Sequence, residues 1–200
     1  MGLDADEGPI PRASLMSLEQ YARERPAFRA RVIAHKRERQ LALGAHVVLT
    51  FEDELTVRYQ IQEMLRIEKT FEEDGILDEL RAYRPLVPSG ADLKATMMIG
   101  YEDAAERAQA LVRLAGIEHR VFVRVGDGPQ HAAISDEDMD RGDDTKTSAV
   151  HFLRFAFSQT EITAWRSGAP VRFAIEHPHY HAAVDPLPAS VQAALAKDFI

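Results

Sequence analysis

The chain has no cysteine. That absence excludes a disulfide framework, a thiolate zinc site, a cysteine nucleophile and a cysteine-held Fe–S cluster. It also fits a reducing compartment. No apolar run approaches the roughly 20 residues of a membrane span. Residues Met1 to Leu15 carry three acids with Pro9 and Pro11, without the basic-then-apolar order of a signal peptide. A cytoplasmic protein without membrane association is the expectation. An excess of basic charge is missing as well: 32 acids oppose 24 Lys and Arg, for a net charge of −8. Such a surface repels phosphate backbones, which argues against nucleic-acid binding. The common catalytic signatures are absent too, including a phosphate-binding glycine loop, a dinucleotide fingerprint, a nucleophile elbow and His-Glu-x-x-His. No cofactor is predicted, although the pattern leaves room for a bound metal.

What is present is ordinary globular material, 46% hydrophobic and 28% charged over 200 residues. A chain of that length buries enough surface to hold a core without staples. Charge is unevenly spread. Ser17 to Leu43 holds seven Lys/Arg against three Glu, and Ser135 to Lys146 holds six acids against two bases. Residues 1–14 read as a flexible polar tail, and 15–200 as a single α+β domain with no linker or repeat dividing it.

Ser17 with Gln20 predicts a capped helix start. Pro26 predicts a kink and a second helical segment to Leu43, with Gly44 capping its end. His46–Phe51 reads as a strand, Glu54–Thr70 as a long helix and Ile76–Tyr83 as a shorter one. Further strands are expected at Ala95–Tyr101, Arg120–Val125, Ala149–Phe157 and Val171–Glu176. Gly126-Asp127-Gly128-Pro129 marks a hairpin turn. The irregular alternation of strands and helices predicts a mixed or mainly antiparallel sheet with helices packed on it.

Four groups of residues invite a chemical reading. Asp136, Asp138 and Asp140 mimic calcium-loop ligands, but Arg141 stands where glycine is needed and Thr147 where the bidentate Glu belongs, which favours a solvated acidic loop. His177, His179 and His181 would share one face if their strand continued, a geometry able to clasp zinc or iron. Pro178 opposes that continuation. On the long helix, Tyr59, Glu63 and Arg66 share a flank at helical spacing, and Glu68 falls near the apolar stripe, where it would need a partner. His151 lies on the most apolar strand and is the first choice for a functional residue, with Glu63, Glu68 or Tyr59 as its expected partner. An enzyme reading combines Glu63, Glu68 and His151, with His35 or His177, in a site between the long helix and the sheet. Against each stands a plain structural reading, in which the same groups fix packing.

Several strings together resemble a bacterial domain-of-unknown-function family, number 3501. They are Ser17–Tyr21, Phe28–Arg37, Phe51–Arg66, Lys94–Ile99 and Thr147–Phe155, and the likeness extends over most of the chain from Ser17 onward. The resemblance implies no established activity. Members of the family are often encoded near rubrerythrin-like proteins and Fe–S oxidoreductases, which implies an accessory protein in a redox system with such a partner. The family pattern includes His177-Pro178 and Tyr180 but not His179 or His181. The leading expectation is therefore a cofactor-free accessory or binding protein. A metalloprotein or small-molecule enzyme is the alternative, and a structural homodimer subunit the third reading.

Overall fold

The computed structural model describes residues 8–135 and 146–200. The chain falls into two compact units, Met1–Arg37 with Glu52–Pro88, and Glu38–Phe51 with Ser89–Ile200.

The first unit is helical: α1 (Leu18–Arg37), α2 (Glu54–Glu68) and α3 (Glu73–Tyr83). The Ser17 hydroxyl accepts from the Gln20 amide at 3.2 Å, as the capping pattern predicts. Pro26 does not divide α1. Both Pro26 and Ala22 four residues earlier are exposed, so the carbonyl that loses its donor is left to water rather than to the core. Asp53 caps α2 in a reciprocal box with Thr56. Val57, Ile61 and Leu65 then face Ile76 and Leu80 of α3 in one apolar cluster. Ile10, from the segment expected as a tail, is fully buried in that cluster. Arg84 donates to its carbonyl at 2.7 and 3.1 Å, and Arg12 pairs with Glu73. A single isoleucine between two prolines has no period to read, yet burying it contributes roughly 2 kcal/mol.

Among the described residues the second unit carries nine strands, β1 (Gln40–Leu43), β2 (Val47–Glu52), β3 (Asp92–Ile99), β4 (Val121–Val125), β5 (His131–Ala132), β6 (Ile134–Ser135), β7 (Val150–Ala156), β8 (Val171–His177) and β9 (Tyr180–Val184). Its helices are α4 (Ala104–Arg113), α5 (Gln159–Arg166) and α6 (Ala189–Leu195). One sheet runs β1-β2-β3-β7-β6 and the other β5-β4-β8-β9. The pairs β1/β2, β3/β7, β6/β7, β4/β5, β4/β8 and β8/β9 are all antiparallel. The fold is α+β, as the sequence predicts.

Two expectations give way here. The helix predicted to reach Leu43 ends at Arg37, because Leu41 and Leu43 alternate with exposed Gln40 and Ala42 at the period of a strand. Gly44 is the left-handed residue of the three-residue β1–β2 turn rather than a helix cap. The strand predicted over Val171–Glu176 runs one residue further and then turns at Pro178-His179, as the proline there requires, with His177 paired to Tyr180 and Glu176 to His181.

The β4–β5 hairpin forms where the glycine-rich turn predicts it, with Phe122 opposite Ala132 and Val123 opposite His131. At buried Ala133 the chain then crosses to the other sheet, where Ile134 and Ser135 pair with β7. Phe51, Phe155 and Phe173 join the two sheets, with ring centroids 5.3–6.2 Å apart. Trp165 of α5 and Phe199 close the cluster. Buried Arg39 donates to the Phe51 carbonyl at 3.0 Å and pairs with Asp198, anchoring the chain end. Among the described residues, no helix is long and apolar enough to cross a membrane.

Candidate functional site

Glu63 and Arg66 do meet, at 3.4 Å, but Arg66 is the least of the partners. Arg25 donates to both Glu63 carboxylate oxygens at 2.7 and 2.8 Å, and the Tyr21 hydroxyl donates at 2.6 Å. The Arg25 fork holds the Glu63 carboxyl down to about 2, overcoming a burial effect of opposite sign. Burial, then the neighbouring Glu63, pushes the Tyr21 hydroxyl well above its usual range. A carboxylate so saturated does not exchange protons near neutrality, and the cluster serves to dock α1 on α2. Tyr59 packs beside this cluster, edge-to-face on Phe28 at 5.8 Å, without a hydrogen bond to Glu63. Glu68 is exposed, so it needs no buried partner. His35 lies 2.5 Å from Asp53, the cap of α2.

His151 lies on the inward side of β7 with Leu153 and Phe155, mostly buried. Its expected partners were Glu63, Glu68 and Tyr59. The structure supplies others: the Thr147 hydroxyl at 2.7 Å, the Ser148 carbonyl at 2.9 Å and Glu118 at 3.8 Å. Burial lowers the His151 pKa, with Glu118 and the Ser148 carbonyl opposing and His119 reinforcing the shift. Thr147 also donates to Glu118 at 3.1 Å, and Ser135 meets His119 at 2.9 Å. Glu118 and His119 sit in a short 3-10 turn whose spacing gives no hint of this pairing.

The three-histidine site is not assembled. The His177 and His179 rings stay near each other, with centroids 5.8 Å apart, but both His177 nitrogens are engaged by backbone, Nε2 with Ala115 O at 3.1 Å and Nδ1 with the His179 amide at 3.2 Å. Among the described residues, no group of three or more His, Asp or Glu is placed to hold a metal ion. Asp136, Asp138 and Asp140 lie outside the described residues.

Among the described residues, one arrangement able to enclose a small molecule involves residues that sequence spacing did not single out. A cavity of about 850 Å³ opens between the β4–β5 turn, the end of β7 and the first turn of α5. Its walls are apolar, from Val125, Pro129, Ala156, Ala164, Ala169 and Pro170, and its polar lining includes His131, Ser158 and Glu161. The sequence Ser158-Gln159-Thr160-Glu161 forms a capping box: the Ser158 hydroxyl accepts from the Glu161 amide, while Glu161 Oε2 accepts from the Ser158 amide at 2.8 Å and hydroxyl at 2.6 Å. The second oxygen, Oε1, lies 3.0 Å from His131 Nε2. The His131 ring also packs edge-on against Phe157.

Burial alone would raise the Glu161 pKa. The Ser158 and His131 contacts outweigh it and leave the group below its ordinary value, hence ionised. An ionised acceptor on Nε2 selects the tautomer that carries its proton there, leaving a lone pair on Nδ1. Nδ1 has no protein partner among the described residues. A carboxylate-oriented imidazole with one open nitrogen, in an apolar cavity of ligand size, can accept a hydrogen bond or a proton from a bound molecule. The Ser-x-x-Glu box was legible in the sequence and points to Glu161. Nothing local points to His131, which reaches Glu161 only through the hairpin and the crossing of the two sheets.

Residues 9–199 match a family described as "Protein of unknown function (DUF3501)". The chain also resembles a protein of unknown function from Burkholderia pseudomallei K96243, known from a crystal structure. The two are 52% identical, with a TM-score of 0.89 over 94% of this chain and 98% of that one. No curated protein matches.

Proposed function

The chain belongs to the DUF3501 family of proteins of unknown function, and on that premise we propose that it is a small-molecule-binding protein whose site is the His131–Glu161 cavity. One observation carries this reading. His131 is oriented by an ionised carboxylate at 3.0 Å while its other ring nitrogen is left without a protein partner, beside about 850 Å³ of largely apolar space. Buried His177, by contrast, engages both its nitrogens with backbone. The accessory role in a redox system rests on the family resemblance alone, and the cavity supports only its binding half.

The test is a fragment screen against the full chain, read by amide and imidazole NMR. Hits should move the signals of His131, Thr160 and Ala169, and His131→Ala should abolish those shifts while leaving the rest of the spectrum intact. Hits that bind elsewhere, or that bind the variant equally well, would overturn the assignment.

A further inference from the structure

The chemistry of the cavity lining narrows the ligand class, an inference that rests on the binding reading above. We infer that the cavity takes compact apolar molecules bearing a hydrogen-bond donor, a hydroxyl or an amine, and discriminates against carboxylates and phosphates.

Three observations lead there. First, His131 contributes an acceptor. Its Nε2 faces Glu161 Oε1 at 3.0 Å, so the proton resides on that nitrogen and Nδ1 presents a lone pair. An anion brings only acceptors and cannot use that lone pair. Second, the lining holds two acids, Asp127 and Glu161, and no Lys or Arg. Two carboxylates outnumber the single imidazole, so the formal charge around the cavity is negative in either state of that ring, and an incoming anion meets net repulsion. Third, the Ser158 hydroxyl donates to Glu161 Oε2 at 2.6 Å and is not free to serve an anion.

The first turn of α5 works in the opposite sense, because its unpaired amides carry roughly half a positive charge. That attraction is already answered within the chain. Ser158 caps the Glu161 amide, and the Glu161 carboxylate sits in the same turn with a full negative charge. The net field therefore favours neutral or cationic donors. Ala156, Ala164, Ala169 and Pro170 bring small side chains to the wall, which leaves room for a ring or a short branched chain.

Benzylamine, benzyl alcohol and benzoate share one apolar body and differ in the polar head. Titrated into the full chain at neutral pH, the amine and the alcohol should shift the His131 and Ala169 signals. Benzoate should bind at least about tenfold more weakly, a difference of roughly 1.4 kcal/mol. Asp127 is exposed, so Asp127→Asn should leave the fold intact and narrow the gap between benzylamine and benzoate. Benzoate binding as tightly as benzylamine at the same residues would overturn the ligand class and leave the cavity as the site. If none of the three moves the cavity signals, the ligand class and the site assignment both fall.

Discussion

At the scale of single residues, the clearest lesson comes from two carboxylates. Glu63 is held by Arg25, Tyr21 and Arg66, and its proton affinity falls until its pKa is about 2 against an ordinary 4.5. A group whose pKa is depressed on folding stabilises the fold fully above the unfolded value and loses that contribution as pH falls through the folded one. Glu63→Gln should therefore lower stability by about 2 kcal/mol near neutrality, because Arg25 and Tyr21 lose a charged acceptor. The gap between wild type and variant should close between about pH 4.5 and 2, where wild-type Glu63 also takes up its proton. Urea unfolding at several pH values reads both effects, and a constant gap across that range would show that the charge is not what matters. Glu161 is also ionised, but it spends one oxygen on a histidine whose other nitrogen stays open. The two acids are equally ordinary in the sequence. Saturation of the first and the open partner of the second distinguish a docking contact from a candidate site.

At the scale of elements, turns decide more than strands do. Gly44 adopts φ +75 in the β1–β2 turn, and a Cβ there would lie 2.5 Å from the Tyr180 hydroxyl and 3.2 Å from the Ala182 Cβ. That hydroxyl is itself committed, donating to the Leu43 carbonyl at 2.5 Å and accepting from the His46 amide at 3.2 Å. Gly44→Ala therefore combines a left-handed backbone penalty of about 1 kcal/mol with displacement of Tyr180, and should cost about 2–3 kcal/mol in all. In a Tyr180→Phe background the clash with oxygen is gone, so the same glycine substitution should cost less. A double-mutant cycle measures the difference, and strictly additive effects would mean that the turn and Tyr180 are uncoupled. The β8–β9 turn has the larger consequence for function. By folding back at Pro178-His179 it commits both His177 nitrogens to backbone and carries His181 onto the returning strand opposite Glu176.

At the scale of the whole molecule, the second unit depends on one core shared by both sheets. Phe173 packs against Phe51 at 5.4 Å, Phe155 at 5.3 Å and Trp165 at 6.5 Å. Truncation to Ala would leave a cavity that close packing cannot refill, and Phe173→Ala should cost about 3–5 kcal/mol by denaturant unfolding. A loss below about 1 kcal/mol would show that the sheets do not depend on this contact. Periodicity and turn chemistry were enough to predict the α+β class, the long helix α2 and the β4–β5 hairpin, because each is decided by neighbours within a few residues. Local signals failed at β1, where a short alternating run followed a helix, and at Ile10, whose burial depends on α2 and α3. The same division holds for the site. Ser158 and Glu161 form a capping box that the sequence alone specifies, since three residues of helix bring the groups together. The acids that face His151 and His131, Glu118 and Glu161, lie 33 and 30 residues away in the chain and were brought there only by the tertiary structure. Hydrogen bonds and burial act through space, and the pairing of two strands and a helix turn brought those groups within reach.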